Sequence, residues 1–346
     1  MLNPTELEIL NYLKSNETSS SKVIHDNIDI DVSYATLKRN LIKLHTEKLI
    51  DIIGKGKATK YKISSIYELI EPIDLDLYYQ KEIDERKINS NFNFQLISNI
   101  LKKNNVFSDI ELSKLEELQE VYNNNAKQLS DLAFKKELER LAIDLSWKSS
   151  QIEGNTYSLL ETEKLLKDKE TASGKTKDEA TMLLNHKEAI DFIIENPQYL
   201  NPLSVSKMED IHSLLMKELI VEKNIRNRRV GISGTNYKPL DNEFQIKEAL
   251  LELCELVNNK ENVFEKALLA LVLISYIQPF VDGNKRTARI VSNSILMHYN
   301  YCPISFRTVD SIEYKKAMLL FYEQNNISAI KRIFIQQFTF AVDTYF

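Results

Sequence analysis

The sequence predicts a mainly α-helical protein, made of a small N-terminal winged helix-turn-helix and a larger helical bundle that carries one small β-hairpin. Apolar residues recur at helical spacing along most of the 346 residues, and strand-like alternation is confined to two short stretches. Only seven glycines occur, so few positions are marked for sharp turns. An apolar content of 43% is enough to build the cores of two or three domains.

Composition excludes several classes of protein. Two cysteines, Cys254 and Cys302, lie in apolar surroundings without spaced partners, so neither a disulfide framework nor a zinc site is expected. The first residues lack the basic and then apolar pattern of a signal peptide, and the apolar run before Gln278 is too short to span a membrane. We therefore expect a cytoplasmic protein with no membrane partner.

Residues 1–66 have the pattern of a winged helix-turn-helix. Ser33 is placed to cap the third helix, and a tip of Gly54-Lys55-Gly56-Lys57 joins two strand-like runs. The predicted elements are helices at 5–16, at 22–27 and from Ser33, and strands at 49–53 and 59–63.

This module is basic inside an acidic protein. The whole chain has a net charge of −5, yet Ser33 to Lys62 contains eight basic and two acidic residues. Such a surface is typical of contact with a DNA backbone, with the third helix in the major groove and the wing beside it. Solvated lysines on a module that contacts protein are the alternative. The candidate DNA-binding residues are Lys38, Arg39, Lys43, Lys55 and Lys57.

Residues 67–130 are rich in Asn, Glu, Asp and Lys and contain no glycine. We interpret them as a helical connector, with one helix near 110–123, that leads to a main domain at 131–346. Helical periodicity resumes there and continues to the C-terminus.

One stretch of the main domain predicts a phosphate site. The apolar run 267–277 is long enough for a buried helix, Pro279 and Gly283 impose a loop, and a second helix restarts near Asn284. A loop that leads into a helix N-terminus binds anions, because unpaired N–H groups and the helix dipole face the loop.

Side chains of the same stretch suit a nucleotide. Arg286 and Arg289, three residues apart, fall on one helix face and offer forked donors to phosphate oxygens. Asp282 supplies a hard oxygen ligand that could hold Mg2+ against those phosphates. The spacing alone also fits an ordinary helix cap with surface arginines.

Residues 278–289 resemble the signature of the Fic family, His-x-Phe-x-Asp/Glu-Gly-Asn-x-Arg-x-x-Arg. The resemblance implies a Fic-type helical bundle that transfers AMP from ATP, with Mg2+, to a hydroxyl group of a target protein. It also implies that the signature residues contact phosphate and metal. The phosphate-binding candidates are Gly283, Asn284, Lys285, Arg286 and Arg289, the metal ligand is Asp282, and Phe280 completes the match.

Two positions depart from the family pattern. Gln278 stands where the family has the histidine that deprotonates the target hydroxyl, and an amide cannot take up that proton. Lys285 stands where many Fic AMP transferases have glycine, and Asn-Lys-Arg resembles the Doc branch, which transfers phosphate. The transferred group is therefore open.

A second motif lies upstream. Ser149 and Glu153 are four residues apart at a predicted helix end, and Gly154 follows. This resembles the inhibitory motif of the Fic family, Ser/Thr-x-x-x-Glu-Gly/Asn, and implies that Glu153 pairs with Arg289. A carboxylate in a guanidinium fork would compete with phosphate for the same donors.

Residues 228–239 predict a small hairpin, because Val230 and Ile232 alternate before a Gly-Thr turn. The segment resembles the Fic flap, which implies that it clamps the target segment as an added strand. The docking candidates are Val230, Gly231, Ile232, Ser233, Gly234 and Thr235.

These patterns favour three functions. The first is an AMP transferase restrained by Glu153 and weak or inactive because of Gln278. The second is a nucleotide-binding, catalytically dead bundle that regulates a DNA-binding winged helix, and the third is a Doc-like phosphotransferase. A target protein, ATP and DNA are the expected partners, a homodimer is possible, and His186 and His212 are interpreted as satisfied or exposed histidines.

Overall fold

The chain folds into two compact units. The computed structural model describes residues 2–346 and divides them between Pro72 and Ile73. The sequence placed the first boundary at residue 66. The short helix after the wing belongs to the N-terminal unit and accounts for the difference.

The N-terminal unit contains four α-helices and a two-stranded antiparallel sheet. Ser33 caps the third helix through its hydroxyl, and Ile50 pairs with Ile63 across the sheet. Its core consists of residues from all four helices and both strands, so the unit has its own hydrophobic centre. The elements are α1 (Pro4–Ser15), α2 (Ser21–Asn27), α3 (Tyr34–Thr46), β1 (Ile50–Ile53), β2 (Lys60–Ile63) and α4 (Ser65–Ile70).

The larger unit is built from helices, which confirms the prediction of a mainly α-helical fold. Residues 73–107 contain little regular structure apart from one short helix and a π-helical turn at Leu96–Leu101. The helices are α5 (Leu75–Tyr78), α6 (Asp109–Gln128), α7 (Asp131–Ile152), α8 (Leu159–Asp168), α9 (Lys177–Glu195), α10 (Val205–Leu215), α11 (Glu243–Asn259), α12 (Val263–Ile277), α13 (Asn284–His298), α14 (Ser311–Gln324) and α15 (Ser328–Tyr345).

Helix α12 lies at the centre of this bundle. All of its fifteen residues are buried, and it packs against α11, α13 and α14. Its apolar composition on every face explains the burial, since a helix without a polar face has no side that favours water. The loop between α12 and α13 is therefore held by the most buried pair of helices in the unit.

The predicted hairpin over 228–239 is absent. Among residues 2–346 the strands of the wing form the one sheet, and the flap segment is an extended loop with a turn at Ser233-Gly234. Its backbone groups bond to other parts of the chain instead. Arg226 donates to the carbonyl of Arg228, and the amide of Lys238 donates to the carbonyl of Ser90.

No helix among residues 2–346 has the length and apolarity needed to cross a lipid bilayer.

Candidate functional site

The loop between α12 and α13 presents a helix N-terminus. Gln278 ends α12 in the left-handed region, with φ of 52°, and Gly283 begins α13 with φ of 80°. No side chain caps α13, so the amides of its first turn have no side-chain acceptor. A helix N-terminus without a side-chain cap is a geometry that suits an anion.

Gln278 is held inside the loop by both ends of its amide. Its Nε2 donates to the carbonyl of Ser275 at 2.6 Å, and its Oε1 accepts from Asn284 Nδ2 at 3.0 Å. The side chain is buried among protein groups. In this position it stabilises the loop and has no titratable proton to exchange.

Asn284 and His212 fix the rest of the loop. Asn284 accepts a hydrogen bond from the amide of Phe280 at 2.8 Å and donates to the carbonyl of the same residue. The His212 ring stacks on Phe280, with 3.7 Å between ring centroids, and its Nε2 lies 2.9 Å from the carbonyl oxygen of Asp282. Burial lowers the pKa of His212, so this contact is made by a neutral imidazole.

Arg286 is a buried cation beside an exposed carboxylate. Its Nη2 donates to Asp282 Oδ2 at 3.0 Å, and its Nε and Nη1 have no partner within residues 2–346. The Asp282 side chain is 61% exposed. Burial lowers the pKa of Arg286, although the guanidinium stays charged. Two donors thus remain available to an anion.

Arg289 joins the loop helix to the end of α7. Its Nε donates to Ser149 Oγ at 2.8 Å, and its Nη2 donates to Glu153 Oε1 at 2.8 Å. Lys285 Nζ lies 3.5 Å from the other carboxylate oxygen of Glu153. Nη1 of Arg289 has no partner among the described residues. Two stretches 140 residues apart therefore meet in one buried charge cluster.

The electrostatics of this cluster agree with an ionised pair. Burial acts to raise the pKa of Glu153, but Arg289 and Lys285 outweigh it and lower the pKa below its usual value. The pKa of Arg289 is raised, because Tyr314 and Glu153 outweigh the effect of burial. Glu153 is therefore a carboxylate at neutral pH.

A cleft of about 350 Å³ opens beside the cluster. It is large enough for a small organic ligand. Glu153, the α13 N-terminus and part of the flap segment share its wall with α14. The lining residues are Ile152, Glu153, Gly231, Ile232, Ser233, Gln278, Val281, Asp282, Gly283, Asn284, Lys285, Tyr314, Lys315, Met318, Leu319 and Tyr322.

Comparison with known families matches residues 202–296 to the Fic/DOC family. This range includes the loop, its glycine and both arginines. The chain contains a Fic/DOC family domain.

Curated relatives of this chain are named protein adenylyltransferase Fic. The protein from Drosophila erecta is 24% identical over 237 residues, which cover 66% of this chain and 46% of that protein. The protein from Aedes aegypti is 28% identical over 185 residues, which cover 51% of this chain and 36% of that protein. The matches thus span less than half of the length of these relatives.

Solved Fic structures share the fold. Fic-1 from C. elegans has a TM-score of 0.59 at 20% identity, covering 68% of this chain and 72% of that one. A Fic domain containing signaling protein from Bacteroides thetaiotaomicron has a TM-score of 0.57 at 19% identity, covering 66% of this chain and 96% of that one.

The flap residues fall into two groups, those that line the cleft and those that contact other parts of the chain. Gly231, Ile232 and Ser233 line the cleft, as the docking prediction requires of that part. Val230 lines a separate groove. Thr235 is buried, and its hydroxyl accepts a hydrogen bond from the amide of Tyr237. The carbonyl of Gly234, the remaining candidate, is already bonded to Arg86 at 2.8 Å.

Arg226 anchors the flap to the Fic loop. This fully buried side chain donates from Nε to the carbonyl of Gln278 at 2.6 Å and from Nη1 to Arg228 at 2.7 Å. Its amide donates to the carbonyl of Pro279 at 3.0 Å. Burial lowers the pKa of Arg226. The sequence analysis missed this residue, and its place just before the flap was the available signal.

His186, which the sequence analysis interpreted as a satisfied or exposed histidine, contacts the charge cluster. It is buried on α9, and its Nε2 lies 2.6 Å from Ser149 Oγ. Burial, reinforced by Arg289, lowers its pKa well below the usual value, so it is neutral. Arg289 donates to the same hydroxyl, so Ser149 Oγ contacts both the arginine and the histidine, and either Ser149 or His186 can be the donor in the second contact. His186 thus packs behind the Ser149 hydroxyl that accepts from Arg289.

The DNA-binding candidates of the N-terminal unit differ in exposure. Lys43 is exposed on α3, and its Nζ lies 2.7 Å from the buried carboxylate of Glu6 on α1, which needs a counter-charge. Arg39 is exposed on α3, and Lys38 is partly buried beside the ring of Tyr34. The remaining two, Lys55 and Lys57, are exposed on the wing.

Proposed function

We propose that this protein is a Fic-type AMP transferase scaffold, held inactive by Glu153 and slowed by the absence of a histidine base. The observation that carries the proposal is the pairing of Glu153 with Arg289 at 2.8 Å, across 136 residues of sequence. This pair places a carboxylate beside the arginine and the helix N-terminus that suit a phosphate.

The residues present fit a nucleoside triphosphate with Mg2+. Three buried guanidinium nitrogens, Nε and Nη1 of Arg286 and Nη1 of Arg289, have no partner within residues 2–346. Unsatisfied buried donors are costly, and anionic oxygens would satisfy them. Asp282 is exposed enough to serve as a single protein ligand to Mg2+, which commonly completes its shell with phosphates and water. When bound, Mg-ATP would supply the activated α-phosphate.

The chain's own residues would bind and orient the reactants. Arg286 and Arg289 would hold phosphate oxygens together with the amides of the first turn of α13. Glu153 would oppose this by keeping Arg289 engaged. Gln278 would contribute no proton transfer, and loss of a general base lowers rates by about 10²- to 10⁴-fold.

Labelling with radioactive Mg-ATP tests this proposal. Glu153→Gly protein is incubated with α-labelled and, separately, γ-labelled nucleotide, and label is sought on the protein itself and on lysate proteins. Gln278→His in the same background is the positive control, and wild type is the restrained reference. We expect weak α-label with Gln278 and stronger α-label with histidine.

Two results would overturn the proposal. Label from the γ-position alone would indicate a Doc-like phosphotransferase, the role to which Lys285 points. No label even with histidine at position 278 would indicate that the bundle is not a transferase.

A second candidate is a nucleotide-binding regulator without transferase activity. The observation that favours it is that both ends of the Gln278 amide are hydrogen-bonded within the loop, and that an amide at this position cannot take a proton from a substrate hydroxyl. In this function the Fic domain would bind ATP, and the basic winged helix would bind DNA, with Lys38 and Arg39 on α3 and Lys55 and Lys57 on the wing. ATP binding without label, combined with DNA binding that changes with ATP, would support it.

A further inference from the structure

A segment that the sequence treated as a plain connector runs along α14 of the Fic domain. We call residues 73–93 the strap. The hydroxyl of Tyr78 donates to Glu323 Oε2 at 2.7 Å, and the hydroxyl of Tyr79 donates to the carbonyl of Lys316 at 2.8 Å. Glu323 is fully buried under the strap. The strap is therefore fixed to the bundle through α14.

The strap also bonds to the flap, and it does so along the second half of the flap. Both backbone and side-chain groups form these hydrogen bonds. Asn91 and Lys238 also pair as an isolated parallel β-bridge. The contacts are Asn236 Nδ2 to Asp84 Oδ1 at 2.8 Å, Arg86 Nη2 to the Gly234 carbonyl at 2.8 Å, and the Lys238 amide to the Ser90 carbonyl at 2.9 Å.

Arg86 is the buried element of this contact. Its side chain is 5% exposed, lies 3.5 Å from Glu323 Oε1 and stacks over the ring of Tyr79 at 4.9 Å. A guanidinium held between a carboxylate and a ring has a fixed direction, and the same Nη2 that faces Glu323 donates to the flap. The one backbone carbonyl it reaches belongs to Gly234, in the turn of the flap.

We propose that Arg86 is a positioning residue for the flap, and that the strap occupies one edge of the flap so that a protein substrate adds along Gly231–Ser233. These residues line the cleft, whereas the carbonyl of Gly234 and the amide of Lys238 are already bonded to the strap. An extended segment that pairs with a free edge uses main-chain hydrogen bonds, so only the open part of the flap can receive it. The docking role rests on the proposed transferase function, and the positioning role does not.

Hydrogen exchange of backbone amides, followed by mass spectrometry, tests the positioning role without any activity assay. Arg86→Gln removes the charge, and Arg86→Lys keeps it. Arg140→Gln is a matched control, because Arg140 also donates to a carboxylate and a carbonyl and lies over the ring of Tyr345, at 4.8 Å, but does so away from the flap.

We expect the amides of Tyr237 and Lys238, which donate to Thr235 and Ser90, to exchange on the order of tenfold faster in Arg86→Gln, since the hydrogen bond from a charged group that holds the neighbouring turn is lost. Arg86→Lys should restore part of the protection. Exchange in α12 and α13 should stay as in the wild type, and Arg140→Gln should leave the flap unchanged.

Either of two exchange results would overturn the positioning role. One is a flap that exchanges at the wild-type rate in Arg86→Gln. The other is acceleration spread evenly over flap, α12 and α13 in both Arg86 variants, which would mean that Arg86 supports the bundle as a whole.

The docking role is tested by adding the Arg86 change to the Glu153→Gly, Gln278→His protein. We expect a higher KM for the protein substrate with unchanged affinity for Mg-ATP. Unchanged KM would refute it. If the parent double variant transfers no label, the proposed function fails, while the exchange result still decides the positioning role.

Discussion

Replacing Glu153 with glutamine should strengthen the binding of Mg-ATP by about tenfold. The glutamine keeps the size of the side chain and removes its charge. Arg289 Nη2 now donates to the carboxylate at 2.8 Å, and a hydrogen bond to a charged group contributes about 1.5–3 kcal/mol. A phosphate must displace this bond to reach the same donor. Since about 1.4 kcal/mol corresponds to a factor of ten, and since the Glu153 side chain is 20% exposed, we expect the lower end of the range.

The same substitution should lower the stability of the nucleotide-free protein. Arg289 is fully buried and retains its bonds to the Ser149 hydroxyl and carbonyl, but it loses its counter-charge. We expect the free energy of unfolding to fall by about 1–3 kcal/mol. A lower stability of the nucleotide-free protein together with a higher affinity for nucleotide is expected when the substituted group competes with the ligand.

Calorimetric titration with Mg-ATP and denaturant unfolding measure the two effects. Glu163→Gln is the matched control, because Glu163 is exposed and its ion pair with Lys167 is of the surface type, which contributes little. Equal affinity of wild type and Glu153→Gln for Mg-ATP would refute the competition argument, whatever the change in stability.

Three further perturbations follow from the geometry. Gly283→Ala should destabilise the protein by about 1–2 kcal/mol in denaturant unfolding, because φ is 80°, in the left-handed region that costs a residue with a Cβ. The added Cβ would also displace the flexible Met216 Cε, and no loss of stability would refute the strain argument. The Glu179 carboxylate accepts hydrogen bonds from the Thr156 hydroxyl and the Thr176 amide, which lower its pKa to about 2 from 4.5, so its contribution to stability is fully present above pH 4.5 and is lost as pH falls towards 2. Unfolding of wild type and Glu179→Gln should therefore converge in acid, and a constant difference would contradict this. Reversing Lys38 and Arg39 to glutamate should abolish salt-dependent DNA binding in a mobility-shift titration, and wild type that binds no DNA at low salt would refute the DNA proposal.

Local patterns predicted the elements of the N-terminal unit closely. The cap at Ser33 and the helix after it lie where the sequence placed them, and both strands begin within one residue of the predicted position. These features depend on neighbours in sequence, such as a hydroxyl three residues from the amide it accepts, so the sequence contains the information directly.

The contacts that organise the site could not be read in the same way. Arg226, Arg86 and His186 act on backbone carbonyls or a hydroxyl that are between 37 and 148 residues away. Every residue has a backbone carbonyl, so no sequence motif indicates which carbonyl will accept such a hydrogen bond. The hairpin prediction for the flap was wrong for the same reason. Alternation at Val230 and Ile232 indicates one extended strand, but it does not indicate which groups form hydrogen bonds with that strand.

The complete burial of α12 has a consequence for how the protein is made. Of the three helices that cover it, α11 precedes it in the chain, whereas α13 and α14 follow it. During synthesis this helix, which is apolar apart from its first turns with Glu265 and Lys266, is therefore uncovered until its later partners are made, and in that interval it is prone to association with other chains. Release of a chain that ends before residue 284 would leave this surface uncovered, so we expect such fragments to be insoluble unless a chaperone binds them.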